Sequence, residues 1–138
     1  MRAAVLFAAL ALLAACSGER VAEDGPPPLY KYTALKEAVT EARQTLPVFW
    51  EAYESGNPAY SDFALNVTTG SDRYTEEHVW LTDIRHVDGE HYAGVIPEDH
   101  EIRDGLGRGD RIAFLPEQVA DWRCREDGKF RGAYTTRA

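Results

Sequence analysis

Gly109–Arg137 reads GDRIAFLPEQVADWRCREDGKFRGAYTTR, and this stretch decides the fold. Arg111-Ile112-Ala113-Phe114 alternates in polarity, so Asp110–Leu115 is expected to be a strand. Pro116 and Glu117 break it. Val119–Arg125 is expected to be the next strand, Asp127-Gly128 a tight turn, and Lys129–Thr135 the last strand. If the loop is two residues long, register follows by counting. Glu126 then faces Lys129, Arg125 faces Phe130 and Asp121 faces Tyr134.

A second Asp-Gly pair lies upstream. Val79–Val87, Asp88-Gly89 and Glu90–Ile96 read as strand, turn and strand. The same counting puts Val87 opposite Glu90, His86 opposite His91, Arg85 opposite Tyr92, Ile84 opposite Ala93 and Asp83 opposite Gly94. Both strands carry apolar residues on both faces, which suits a sheet covered on both sides at its centre. Before them, Phe63, Leu65 and Val67 alternate with Ala64, Asn66 and Thr68 in a strand that starts near Tyr60. Thr69–Tyr74 and Pro97–Gly107 read as surface loops.

The helical signal precedes the strands. Leu35, Val39, Ala42, Leu46, Phe49 and Tyr53 recur at steps of three and four, widened by Ala38 and Trp50. Thr33 is the expected N-cap, and Gly56-Asn57-Pro58 the stop. Pro47 lacks an N–H and clashes with the carbonyl of Arg43. A kink is expected there, or two short helices with Thr45 capping the second. One helix unit followed by about six short, mostly antiparallel strands is an α+β pattern, with the helix on one face of a twisted sheet. Residues 30–138 form this expected domain.

The first residues are a different kind of segment. Arg2, then the apolar run Ala3–Leu12, then Ala14-Ala15 follow signal-peptide grammar, and the run is shorter than the roughly 20 residues a spanning helix needs. Leu13-Ala14-Ala15-Cys16 resembles a bacterial lipobox. That resemblance implies removal of residues 1–15 and acylation of Cys16, with 16–29 a linker ending in Gly25-Pro26-Pro27-Pro28. In a host with two membranes, Ser17 in place of aspartate implies sorting to the outer membrane, facing the periplasm. The alternative is an ordinary secretory signal that leaves Cys16 as a thiol. Each buried acyl CH2 adds about 0.8 kcal/mol of anchoring, so several chains would tether the domain without spanning the bilayer.

The formal charge of −8 opposes nucleic acid and anionic surfaces as bulk partners. Of the two cysteines, Cys16 has its own use, which leaves Cys124 unpaired, a buried inert thiol on a strand.

The candidate chemistry is sparse. His78, His86, His91 and His100 lack helical metal spacing, and a facing His86–His91 pair still needs a third ligand. Glu77 and His78 are adjacent on a strand and point to opposite faces, so they form no dyad. His78 and Trp80 share a face and could form an aromatic binding patch with Trp122; the alternative is that both tryptophans belong to the core. Asp121 and Arg137 suggest an ion pair that locks the last strand. Gly105–Gly109 lacks the lysine and helix of a phosphate loop. No cofactor, metal or catalytic set is implied.

Several motifs together carry a resemblance. Phe63-Ala64-Leu65, Glu77-His78-Val79-Trp80-Leu81, Gly109-Asp110-Arg111, Val119-Ala120-Asp121-Trp122 and Gly132-Ala133-Tyr134-Thr135-Thr136-Arg137 are similar to the bacterial domain-of-unknown-function 2314 family. The likeness spans Ala38 to Arg137. Asn66 stands where the family often has lysine, and Cys124 where an aromatic residue is usual. The resemblance implies no catalytic residues. The expectation is a membrane-anchored module that binds a protein or envelope component through His78, Trp80, Asp121, Trp122 and Arg137. The competing expectation is a small hydrolase-like envelope enzyme using His78 or Asp121.

Overall fold

The computed structural model describes residues 29–70, 77–97 and 105–138. The signal peptide, Cys16, the proline linker, His100 and most of the two surface loops lie outside the described residues. The architecture is α+β: one helix, α1 (Leu29–Ser55), against a six-stranded antiparallel sheet. The strands are β1 (Tyr60–Thr69), β2 (Glu77–Asp88), β3 (His91–Val95), β4 (Arg111–Phe114), β5 (Val119–Glu126) and β6 (Lys129–Gly132). Their spatial order is β4-β3-β2-β1-β5-β6, so β1 is central and receives β5 from the far end of the chain.

The apolar stripe of α1 faces the sheet. Ala38, Ala42, Phe49 and Ala52 are buried, and Leu46, Trp50 and Tyr53 flank them. Alanines at the closest approach let the helix axis come near the strands. Leu35 departs from the expected stripe and is exposed, because it lies a turn before the first buried residue, Ala38. Thr33 also departs from its expected role as N-cap, since the helix already begins at Leu29. Nor does Pro47 split the helix in two. Thr45 is no cap; its hydroxyl donates back to the carbonyls of Glu41 and Ala42 at 2.9 and 3.2 Å. Arg43 ties the helix to the sheet, donating from Nε to the Val119 carbonyl at 3.0 Å. At the other end Gly56 takes a φ of 64°, closing the helix where expected.

Phe49 is the hub of the core. Its ring meets those of Trp50, Tyr53, Phe63 and Trp122 at centroid distances of 5.1, 5.8, 5.6 and 6.0 Å. The stack continues through Trp50, Tyr92 and Phe114 across β3 and β4. Leu65, Val67, Val79 and Leu81 complete the floor.

The C-terminal hairpin follows the expected register, with Glu126 opposite Lys129 and Arg125 opposite Phe130. Asp127 and Gly128 both have positive φ, the requirement of a type I′ turn. β6 stops at Gly132 rather than at Thr135. Gly132 and Ala133 both enter the left-handed region, and a Cβ on Gly132 would sit 2.2 Å from the Trp122 carbonyl oxygen. The chain therefore leaves the ladder at this point.

The upstream hairpin does not keep the counted register. Its loop is Gly89-Glu90, with Gly89 at φ 43°, and Asp88 pairs with His91. His86 opposes Tyr92, Arg85 opposes Ala93, and Val87 is the extra residue. A second irregularity lies between Thr82 and Arg85, where Asp83 takes φ 47°. That bulge advances the alternation by one. Leu81 and Ile84 consequently both face the core, and the apolar pattern read as two covered faces is one covered face with a bulge. Asp83 receives Arg111 at 2.8 Å from across β3, with Arg85 at 3.3 Å. Hydrogen bonding from Arg111, assisted by Arg85, holds the Asp83 carboxyl below its ordinary 3.8.

Two predictions follow from this bulge. A Cβ on Gly94 would lie 2.7 Å from Leu81 Cβ and 2.9 Å from Ile84 Cδ1. Gly94→Ala should lower stability by about 1–3 kcal/mol, read from the urea midpoint; an unmoved midpoint contradicts this packing. The Asp83 carboxyl is depressed in the fold, so its contribution is present above the unfolded value and lost as pH falls through the folded one. Arg111→Gln should therefore be less stable than wild type at neutral pH, and the gap should close only below pH 3.8. A gap that persists at lower pH would contradict the pairing.

Candidate functional site

The sheet face turned away from α1 is set by the ladder. Leu65 pairs with Leu81 and Trp122, and all three sit in the core under the helix. Alternation sends their neighbours to the other side. Asn66 pairs with Trp80 on β2 and with Asp121 on β5, Thr68 pairs with His78, and Ala64 pairs with Arg123. The Arg123 guanidinium reaches back across β1 and lies 4.5 Å above the Trp80 ring centroid. Arg123 is in register with the buried Ala64 and Trp80 with Asn66, so the guanidinium crosses β1 diagonally over small residues to reach the indole. His78 Nδ1 lies 3.2 Å from Asn66 Oδ1, the carbonyl oxygen of a buried amide, which places the proton on Nδ1. His78 is exposed, while Trp80 and Arg123 are partly so.

The expected partnership of His78, Trp80 and Trp122 is split by the sheet. Trp122 is buried on the helix side, where its Nε1–H donates to Thr45 Oγ1 at 3.0 Å. It also meets Tyr134 edge-on at 6.0 Å.

Asp121 is fully buried. Its Oδ1 accepts from the Trp122 and Tyr134 amides at 2.8 and 3.2 Å. Its Oδ2 accepts from the Thr135 amide at 2.8 Å and the Thr135 hydroxyl at 2.6 Å. Among the described residues no ion pair joins Asp121 to Arg137. The expectation of a charge lock fails because backbone N–H groups of the departing chain reach the carboxylate first. Arg137 instead lies 5.3 Å over the Tyr134 ring, beside Ala34, Ala38 and Glu41 of α1. Asp121 is thus an anchor for the C-terminal segment, and the structure does not gather His78, Asp121 and Arg137 into one cleft.

The histidine pair of the upstream hairpin is also dissolved by the register. His86 Nε2 donates to the Gly89 carbonyl at 2.7 Å, and His91 Nδ1 meets Asp88 Oδ1 at 3.1 Å. Among the described residues no cluster of three metal-ligating side chains occurs. The Cys124 thiol is buried, and that burial raises its pKa above the ordinary 9.0. It is a poor nucleophile.

Sequence reading missed Asn66 and Arg123 as members of the site. Their signal was the pairing of β1 with β5, which joins segments more than fifty residues apart and is invisible to local counting.

A family model described as "Uncharacterized protein conserved in bacteria (DUF2314)" matches residues 33–138. No curated protein and no solved structure matches the chain. The chain belongs to the DUF2314 family, an uncharacterised conserved bacterial domain.

Proposed function

We propose that this DUF2314 member is a non-catalytic binding module, held at the bacterial envelope by acylated Cys16, whose ligand is a protein or envelope component met on the Trp80–Arg123 face. The observation that carries the reading is the partly exposed indole with a guanidinium stacked on it, away from the core. Aromatic and arginine side chains are the residues most enriched in binding hot spots. The hydrolase reading loses support at Asp121, whose four hydrogen bonds leave its oxygens no role in proton transfer. The lipobox-like Leu13-Ala14-Ala15-Cys16 and the proline-rich linker support an outer-membrane tether facing the periplasm.

The test uses the full chain in intact bacteria, with a photo-crosslinking residue at Thr82 on the binding face or at Glu51 on the outer side of α1. One discrete partner should be captured from Thr82 and not from Glu51. Trp80→Ala should abolish capture without lowering Tm by more than a few degrees. Cys16→Ser should remove fatty-acid labelling and release the chain from membranes. Equal capture from both positions, or capture that survives Trp80→Ala, overturns the binding face. Retained labelling in Cys16→Ser overturns the anchor.

A further inference from the structure

Resting on that reading, we infer the chemistry of the ligand: the Trp80–Arg123–Asn66 face recognises a carboxylate presented by a peptide segment of a partner protein. Three side chains of this face, Trp80, Arg123 and Asn66, carry nitrogen donors with no acceptor among the described residues. No described residue accepts a hydrogen bond from Trp80 Nε1–H. The guanidinium of Arg123 has no carboxylate or carbonyl partner among the described residues, and its contact there is the Trp80 ring. Asn66 is buried, 7% exposed as a residue, its Oδ1 bonded to His78, and no described residue accepts from its Nδ2. None of these nitrogens is sealed from solvent, since the described residues hold no buried side-chain nitrogen or oxygen without a partner.

The contrast with the neighbouring arginines is informative. Arg111 and Arg85 are paired with Asp83, Arg125 with Asp62, and Arg131 with Glu126. Among the described residues Arg123 has an aromatic ring as its partner and no acid. Its contact with the Trp80 ring holds the guanidinium over the indole, and a guanidinium so held can meet a two-oxygen acceptor through its N–H fork. An indole N–H and the Asn66 amide N–H groups add donors, while the Asn66 carbonyl oxygen is engaged by His78. The Trp80, Arg123 and Asn66 nitrogens present donors, one group permanently charged, and with the neighbouring Asp121 carboxylate buried and closed by its own four hydrogen bonds they suit an anion with in-plane oxygens.

Overall charge narrows the source. A chain at −8 repels a polyanion or an anionic bilayer over long range, and repels a single carboxylate least. A peptide carboxylate also brings neighbouring backbone and side chains to lie on the Trp80 ring and the exposed rows of β2.

The test is nitrogen–proton NMR of the full chain in neutral detergent, following the Trp80 indole and Arg123 Nε–H resonances, with Trp80→Phe for assignment. The probes are an end-blocked hexapeptide with one glutamate, its glutamine counterpart, inorganic phosphate, and phosphatidylglycerol added to the micelles. The glutamate peptide should shift both resonances in a saturable way, with the Trp50 and Trp122 indoles unmoved. The glutamine peptide should shift neither. Arg123→Lys should weaken the glutamate peptide by about tenfold, since an ammonium lacks the stacked fork. Phosphate or phosphatidylglycerol acting as well as the peptide overturns the carboxylate assignment, as does silence of both resonances. Silence here with the in-cell crosslink intact sinks this inference alone, whereas loss of the crosslink sinks the binding module.

Discussion

The buried carboxylate of Asp121 is the constraint on which the structure depends. An ionised group without water must be given hydrogen bonds, or the fold carries a cost of several kcal/mol. Here the donors come from the chain itself, just after it has left the ladder at Gly132. The Tyr134 and Thr135 amides and the Thr135 hydroxyl close on the carboxylate, and the Trp122 amide completes it. The tail is thereby pinned beside β5. Tyr134 is held against Trp122, and Trp122 is held between the sheet and α1 with its N–H on Thr45. A polar group at the centre thus positions the largest apolar side chain of the helix–sheet interface.

Two bulges then decide what each face of the sheet carries. Asp62 in β1 and Asp83 in β2 both adopt left-handed backbone, and each is met by an arginine of another strand, Arg125 and Arg111. Each bulge shifts the alternation within its strand. In β2 the shift brings Leu81 and Ile84 together over Gly94, where the lack of a side chain gives them room. On the other face β1 contributes Ala64 and Asn66, and Arg123 crosses this strand to meet Trp80. The make-up of the Trp80–Arg123 face is therefore a consequence of packing on the opposite side.

Much of the fold was legible in the sequence because its signals are local. The α1 stripe is a repeat of three and four, and Asp127-Gly128 fixes a hairpin because both residues tolerate positive φ. The first hairpin defeated counting because a bulge at Val87 and a glycine-first loop leave no mark that differs from an ordinary Asp-Gly turn. Pro47 did not break α1, since the tertiary contacts of Phe49, Trp50 and Tyr53 continue the helix past it. Of the candidate site, His78 and Trp80 could be placed on one face from alternation alone. Arg123 and Asn66 could not, because they come together only when β5 returns to pair with β1. Asp121 was legible as structural, but three of its four partners were backbone amides that no side-chain pattern announces.

The central claim is that Asp121 is an architectural group that fastens the C-terminal segment. Amide hydrogen exchange on Asp121→Ala, with chemical denaturation alongside, tests it most directly. The account predicts a stability loss of about 3 kcal/mol, with exchange protection lost first at the Tyr134 and Thr135 amides. Unchanged stability and protection, together with loss of partner capture, would contradict it and return Asp121 to function.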